Sequence, residues 1–114
     1  MSNGMSDSPQ RPPAHCEFCQ RHISNLTRHH LIPRTRHRNK KTRRQFDRQA
    51  MTTRIAWLCR PCHKQLHALF SEKELAESYH HLDALRQHPE MQHFIEWIVG
   101  KPENFVPRTY SKRR

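Results

Sequence analysis

The four cysteines set the strongest limit on how this chain can fold. They fall into two pairs, Cys16-x-x-Cys19 and Cys59-x-x-Cys62, and there is no fifth. Two intervening residues let the backbone turn so that both thiolates of a pair face one ion. Two such knuckles complete a closed, tetrahedral four-cysteine zinc site. A structural zinc in a finger peptide contributes roughly 10–16 kcal/mol of apparent binding energy, more than the whole stability of a typical domain. That staple matters here because only 33% of the 114 residues are hydrophobic and mean hydropathy is -1.09. A core this small needs help to offset the entropy of ordering the chain. The alternatives are two disulfides or four unrelated thiols. The stretch Met1 to Ala14 is polar and Pro-containing and lacks the apolar centre of a secretory signal, so disulfides find no support. His15 or His22 could replace a thiolate, but neither is required.

Charge points to the partner. There are 21 Lys+Arg against 10 Asp+Glu, a formal net charge of +11, and the pI is about 10.4. Such an excess suits a polyanion, usually nucleic acid; the bland alternative is a solubilising basic surface. Clustering favours the former. Between Arg34 and Arg48 stand Arg34, Arg36, Arg38, Lys40, Lys41, Arg43, Arg44 and Arg48 with a single acid, Asp47. Arg108, Lys112, Arg113 and Arg114 form a second cluster. The two glycines, Gly4 and Gly100, exclude a Gly-rich phosphate cradle. No apolar run approaches the ~20 residues of a membrane span, so a soluble, cytoplasmic protein without membrane contact is expected.

The chain divides into an N-terminal segment over 1–14, expected to be disordered, a domain over 15–105 and a basic tail over 106–114. Within the domain the motif core occupies 16–70 and supporting helices 71–100. Ile23 to Ile32 and Arg54 to Leu58 read as strands. The basic stretch between them reads as an exposed loop, with helix a weaker expectation over Arg43 to Met51. Cys62 to Phe70 reads as a short helix with Pro61 near its start. Ser71 and Glu74 have the spacing of a capping box, and Leu75, Tyr79, Leu82 and Leu85 extend an amphipathic helix to about Gln87. Pro89 can open a further helix and Gly100 can end it.

The histidines carry the chemistry. His29 and His30 are adjacent on an expected strand, so their side chains point to opposite sides. That asymmetry suits a division of labour in which one binds metal and the other acts on water. His63 and His67 are four apart on an expected helix, one turn apart on the same face, as a bidentate metal clamp requires. With eleven histidines in the chain some pairs arise by chance. His80-His81, His88 and His93 are expected on solvated faces.

Cys16-Glu17-Phe18-Cys19, then Leu26-Thr27-Arg28-His29-His30-Leu31-Ile32-Pro33, then Leu58-Cys59-Arg60-Pro61-Cys62-His63-Lys64-Gln65-Leu66-His67 bracket nearly half of the chain. In order and spacing this resembles the HNH (His-Me finger, ββα-metal) endonucleases. The histidine pattern looks most like the colicin-nuclease version of the site, and the cysteine knuckles like the zinc-stabilised version. The resemblance implies that His29, His63 and His67 hold one catalytic divalent ion (Mg²⁺, Mn²⁺, Ni²⁺ or Zn²⁺) and that His30 is the general base. It implies hydrolysis of a DNA phosphodiester to a 5′-phosphate and a 3′-hydroxyl. One position departs from the pattern: the family's middle Asn, five residues before the third cysteine, is Arg54 here. Arg54 could take over by donating to a backbone carbonyl or by contacting the scissile phosphate; Asn39 has the wrong spacing to substitute.

The expectation is therefore an α+β fold, a small ββα-metal motif stapled by a four-cysteine zinc site with additional C-terminal helices. Its expected function is metal-dependent cleavage of DNA, with the Arg34–Arg48 run gripping phosphates. The rival is a non-catalytic zinc module that binds DNA or RNA through a degenerate HNH site.

Overall fold

The computed structural model describes residues 12–107. The expected N-terminal segment to residue 11 and the basic cluster Arg108 to Arg114 lie outside the described residues. The architecture is α+β. A two-stranded antiparallel sheet, β1 (Thr27–His30) and β2 (Ile55–Leu58), is surrounded by short helices: α1 (Lys40–Gln45), α2 (Arg48–Thr53), α3 (Arg60–Leu69), α4 (Glu72–Glu77), α5 (Leu82–Gln87) and α6 (Pro89–Ile98). The register pairs Thr27 with Leu58, Arg28 with Trp57, His29 with Ala56 and His30 with Ile55.

β1 is shorter than expected at both ends. Ile23 donates its N–H to Ala14 and Cys16 donates to Arg21, so the chain before Leu26 belongs to the first cysteine knuckle. After His30, Leu31 donates to the Arg54 carbonyl, and Pro33 has no N–H to continue a ladder. The chain instead enters a 3₁₀ turn over Arg34–Arg36, closed by Arg36 N–H on the Pro33 carbonyl.

The basic stretch is not a loop but two capped helices with exposed cations. The Asn39 side chain accepts from Thr42 N–H at the start of α1, and Asp47 accepts from Ala50 N–H at the start of α2. These caps supply oxygen acceptors to otherwise orphan amides. Ile32, Phe46 and Met51 form a small second core beneath the two helices.

The helix expected from Ser71 to Gln87 is broken in two. Its start is as the sequence indicates: Ser71 Oγ accepts from Glu74 N–H at 3.1 Å and Glu74 Oε1 accepts from Ser71 N–H at 2.7 Å. The break falls at Ser78 to His81, four residues of modest helix propensity. Tertiary aromatic contacts take over there. Tyr79 packs on Phe70 with ring centroids 4.6 Å apart, and His80 packs on Phe46 at 4.7 Å. His80 is half-buried rather than solvated, and His88 is half-buried too, packing on Phe70 and capping α6 by accepting from Glu90 N–H.

The main core surrounds the cysteines. Phe18, Leu58, Leu66, Leu75, Leu85, Met91 and Ile98 are essentially inaccessible to solvent, each such side chain stabilising the fold by about 1.5–3 kcal/mol. α3 packs on both β1 and α6, so the helix that carries His63 and His67 is held between the sheet and the C-terminal helices.

Candidate metal centres

Both knuckles reach one point in the core. Cys16, Cys19, Cys59 and Cys62 are buried free thiols whose sulfurs lie within 4.8 Å of one another. The Cys19 and Cys59 sulfurs are 3.8 Å apart, the edge length of a tetrahedron with Zn–S bonds of about 2.3 Å. The donor set and the spacing fit a structural zinc ion. The first knuckle turns at Gln20, which adopts a positive φ of 64° and donates to the Cys16 carbonyl. Amides of Phe18 and Cys19 point at Cys16 Sγ, at 3.3 and 3.5 Å, and so favour a thiolate there. Glu17 fastens the knuckle to β2: its N–H donates to the Trp57 carbonyl and its carboxylate accepts from Trp57 N–H at 2.8 Å.

Arg21 is the residue that reading the cysteines alone misses. Its guanidinium is buried and donates to Cys19 Sγ and Cys59 Sγ, both at 3.3 Å. Burial opposes its charge, yet the hydrogen bonds it donates to the two sulfurs keep it protonated. Nothing in the sequence separates this arginine from the other basic residues.

A second cluster is built from β1 and α3. His29, His63 and His67 each bring a ring nitrogen within 4.8 Å of the others. Ring centroids are 5.2 Å apart for His29–His63, 5.3 Å for His29–His67 and 4.9 Å for His63–His67. Helical spacing places the last two on one face, and the strand pleat turns His29 toward them. His29 is 2% exposed, and among the described residues its Nε2 has no hydrogen-bond partner. A buried imidazole nitrogen left unpaired is costly, and a metal ion held by the three histidines would pair it. Burial, then the charges of His63 and His67, hold the His29 pKa down to about 2, and burial with His67 lowers His63 to about 4. His67 is lowered by burial too, while Glu72 pulls the other way. All three are therefore neutral near pH 7, the form that binds metal.

Thr27 orients this cluster. Its hydroxyl donates to the Leu58 carbonyl at 2.9 Å and lies 2.7 Å from His63 Nδ1. The period-2 pattern of β1 already puts Thr27 on the His29 face, so this residue was within reach of sequence reasoning.

His30, on the opposite face of β1, is half-buried beside His37, with ring centroids 6.2 Å apart. Its pKa is lowered by burial first, then by Arg28, His37 and Arg34. His37 is fixed by its Nε2 on the Ile32 carbonyl at 2.7 Å. Arg54 lies at the C-terminus of α2, its guanidinium 5.6 Å above the Phe46 ring. Its carbonyl accepts from Leu31 N–H at 3.0 Å, so the backbone of this position ties down the residue that follows His30.

Of the basic run, Arg34, Arg38, Lys40, Lys41, Arg43, Arg44 and Arg48 are exposed and Arg36 is half-buried. Lys41 is paired with Glu77 at 3.6 Å, and Thr35 donates to Glu72, so α4 anchors the stretch from two points. Beside His63 and His67 opens a cavity of about 750 Å³, walled by Thr27, Arg60, Lys64, Val106 and Pro107 among others. Among the described residues no helix is long and apolar enough to cross a membrane.

No family model and no solved structure matches the chain. The uncharacterized protein YisB of Bacillus subtilis (strain 168) is 35% identical over 94 residues, which cover 82% of this chain and 82% of that protein.

Proposed function

The chain belongs to the same family as YisB, and we propose that it is a metal-dependent endonuclease of the HNH type that hydrolyses phosphodiester bonds in DNA. The observation that carries this reading is the meeting of His29, His63 and His67 within ligand distance of one another, with the buried Nε2 of His29 lacking a hydrogen-bond partner among the described residues. Three neutral imidazoles leave a divalent ion its full charge and open positions, so that when bound it stabilises the negative charge building on the phosphate and on the leaving oxygen.

The remaining steps fall to the chain's own residues. His30, kept neutral by burial and nearby cations, takes a proton from water at its free imidazole nitrogen. The oxygen of that water bonds to phosphorus and the P–O3′ bond breaks, leaving a 5′-phosphate and a 3′-hydroxyl. The 3′-oxygen takes up a proton, and His30 returns its own to solvent. Thr27 keeps His63 in one tautomer. The exposed cations between Arg34 and Arg48 supply phosphate contacts that position the strand without reading its sequence.

A second reading rests on Arg54. Its side chain packs on Phe46 where the HNH pattern has Asn, which favours a non-catalytic zinc module that binds DNA or RNA. Metal content separates the two. The nuclease reading expects about two ions per chain, falling to one in His63→Ala with the cysteine site still filled. One ion in the parent protein, unchanged by His63→Ala, supports the binding module.

A further inference from the structure

Four thiolates around a divalent ion carry a formal charge of minus two, and the core that encloses them is apolar. Buried charge of that kind needs a partner. Arg21, at 8% exposed, is placed to be one. Its Nε donates to Cys19 of the first knuckle and its Nη2 to Cys59 of the second. The remaining donors do something else. Nη1 bonds the carbonyls of Lys101 and Pro102, at 3.2 and 2.7 Å. Those carbonyls lie in the stretch after α6 that carries Val106 and Pro107, part of the wall of the cavity beside His63 and His67. Ser24 holds the same segment through Glu103, which accepts both its N–H and its hydroxyl.

We propose that Arg21 is the outer cation of the cysteine centre, offsetting part of the thiolate charge and making the seating of residues 101–107 depend on that centre. One planar guanidinium spans both knuckles and the segment at once, which a lysine, with a single point of charge, cannot reproduce. The inference stands whether or not the histidine site cuts DNA.

The test uses the full chain carrying Arg21→Gln or Arg21→Lys. With cobalt in place of zinc, Arg21→Gln should displace the sulfur-to-metal charge-transfer band, because two N–H···S bonds are removed. Zinc transfer to a chromogenic chelator should be favoured roughly 10–100-fold, the usual effect of removing an outer-shell partner. The Lys101 and Phe105 amides, which bond Ile98 and Pro102 carbonyls, should exchange faster with zinc still bound. Arg21→Lys should hold zinc better than Arg21→Gln. The proposal is overturned by an unmoved band and unchanged zinc retention, by equal losses in the two variants, or by unchanged amide exchange. It is also overturned if Arg21→Gln stays unfolded at saturating zinc, because excess metal offsets a 100-fold affinity loss by mass action, and failure to fold would then mark Arg21 as a packing residue only.

Discussion

Thr27 donates its hydroxyl proton to the Leu58 carbonyl at 2.9 Å while its oxygen lies 2.7 Å from His63 Nδ1. A hydroxyl has one proton, so the hydrogen between Thr27 and His63 belongs to Nδ1 and the lone pair of His63 is left on Nε2. The β1–β2 register, which sets Thr27 opposite Leu58, therefore fixes a histidine tautomer on a helix. Thr27→Val removes the acceptor with little change of shape. Affinity of the histidine cluster for Mn²⁺ or Ni²⁺ should fall roughly 10–100-fold, with a stability loss of about 1 kcal/mol and zinc retained at the cysteines. Calorimetric titration of metal into the zinc-loaded protein checks this; unchanged affinity would show that Thr27 does not set the tautomer.

The cysteine centre is expected to hold the fold outright. Cys62→Ser changes one of the four buried cysteines, itself without accessible surface, and chelation would remove the ion altogether. Both should abolish cooperative thermal unfolding and most of the helical circular dichroism, since the ion's contribution exceeds the stability of a typical small domain. A chelated protein with an unchanged spectrum would contradict the zinc assignment.

Stability should also depend on acid in a defined window. His29 and His63 sit well below their ordinary value of 6.5, at about 2 and about 4. Below pH 6.5 the unfolded chain takes up protons that folded His29 and His63 refuse, so their stability contribution is complete above 6.5 and is lost as pH falls, down to about 4 for His63 and on to about 2 for His29. Thiolates holding zinc would add their own acid sensitivity. Comparing the parent with His63→Gln isolates the histidine share: the urea midpoint should fall less steeply over this window in the variant. Parallel slopes would show that His63 does not contribute.

On the basic face, exposed cations and the one paired with Glu77 should differ. Arg43 and Arg44 are exposed, whereas Lys41 is joined to Glu77. If the face grips phosphates, Arg43→Ala with Arg44→Ala should lower the slope of log affinity for duplex DNA against log salt by roughly 0.9 for each phosphate no longer neutralised. Lys41→Met should change it less. Fluorescence anisotropy across a salt series measures both, and an unaltered slope in the double variant would remove this face from the proposed interface.

The elements that could be read from the sequence are those fixed by local chemistry. Ser71 and Glu74 form the capping box that their spacing implies, Pro89 opens α6, and the two CxxC pairs converge on one point. His63 and His67 share a helix face because four residues make about one turn. What could not be read depends on partners distant in the chain. Tyr79 and His80 interrupt a helix because Phe70 and Phe46 are there to receive them. Asn39 and Asp47 are ordinary caps, but in a run of cations they look like loop residues. Arg21 gains its meaning from Cys59 and Pro102, 38 and 81 residues away, and no local pattern carries that. Arg54 stands between the two cases: its departure from the HNH pattern is visible in the sequence, and its packing over Phe46 only in the fold.

The most direct test of the account is the fate of supercoiled plasmid with zinc-loaded protein and Mg²⁺, Mn²⁺ or Ni²⁺, the parent compared with His30→Ala. Metal-dependent nicking by the parent should fall by at least roughly 10²-fold without the base, while both proteins keep the same zinc content and circular dichroism. Intact plasmid with every ion, or equal nicking by His30→Ala, would contradict it.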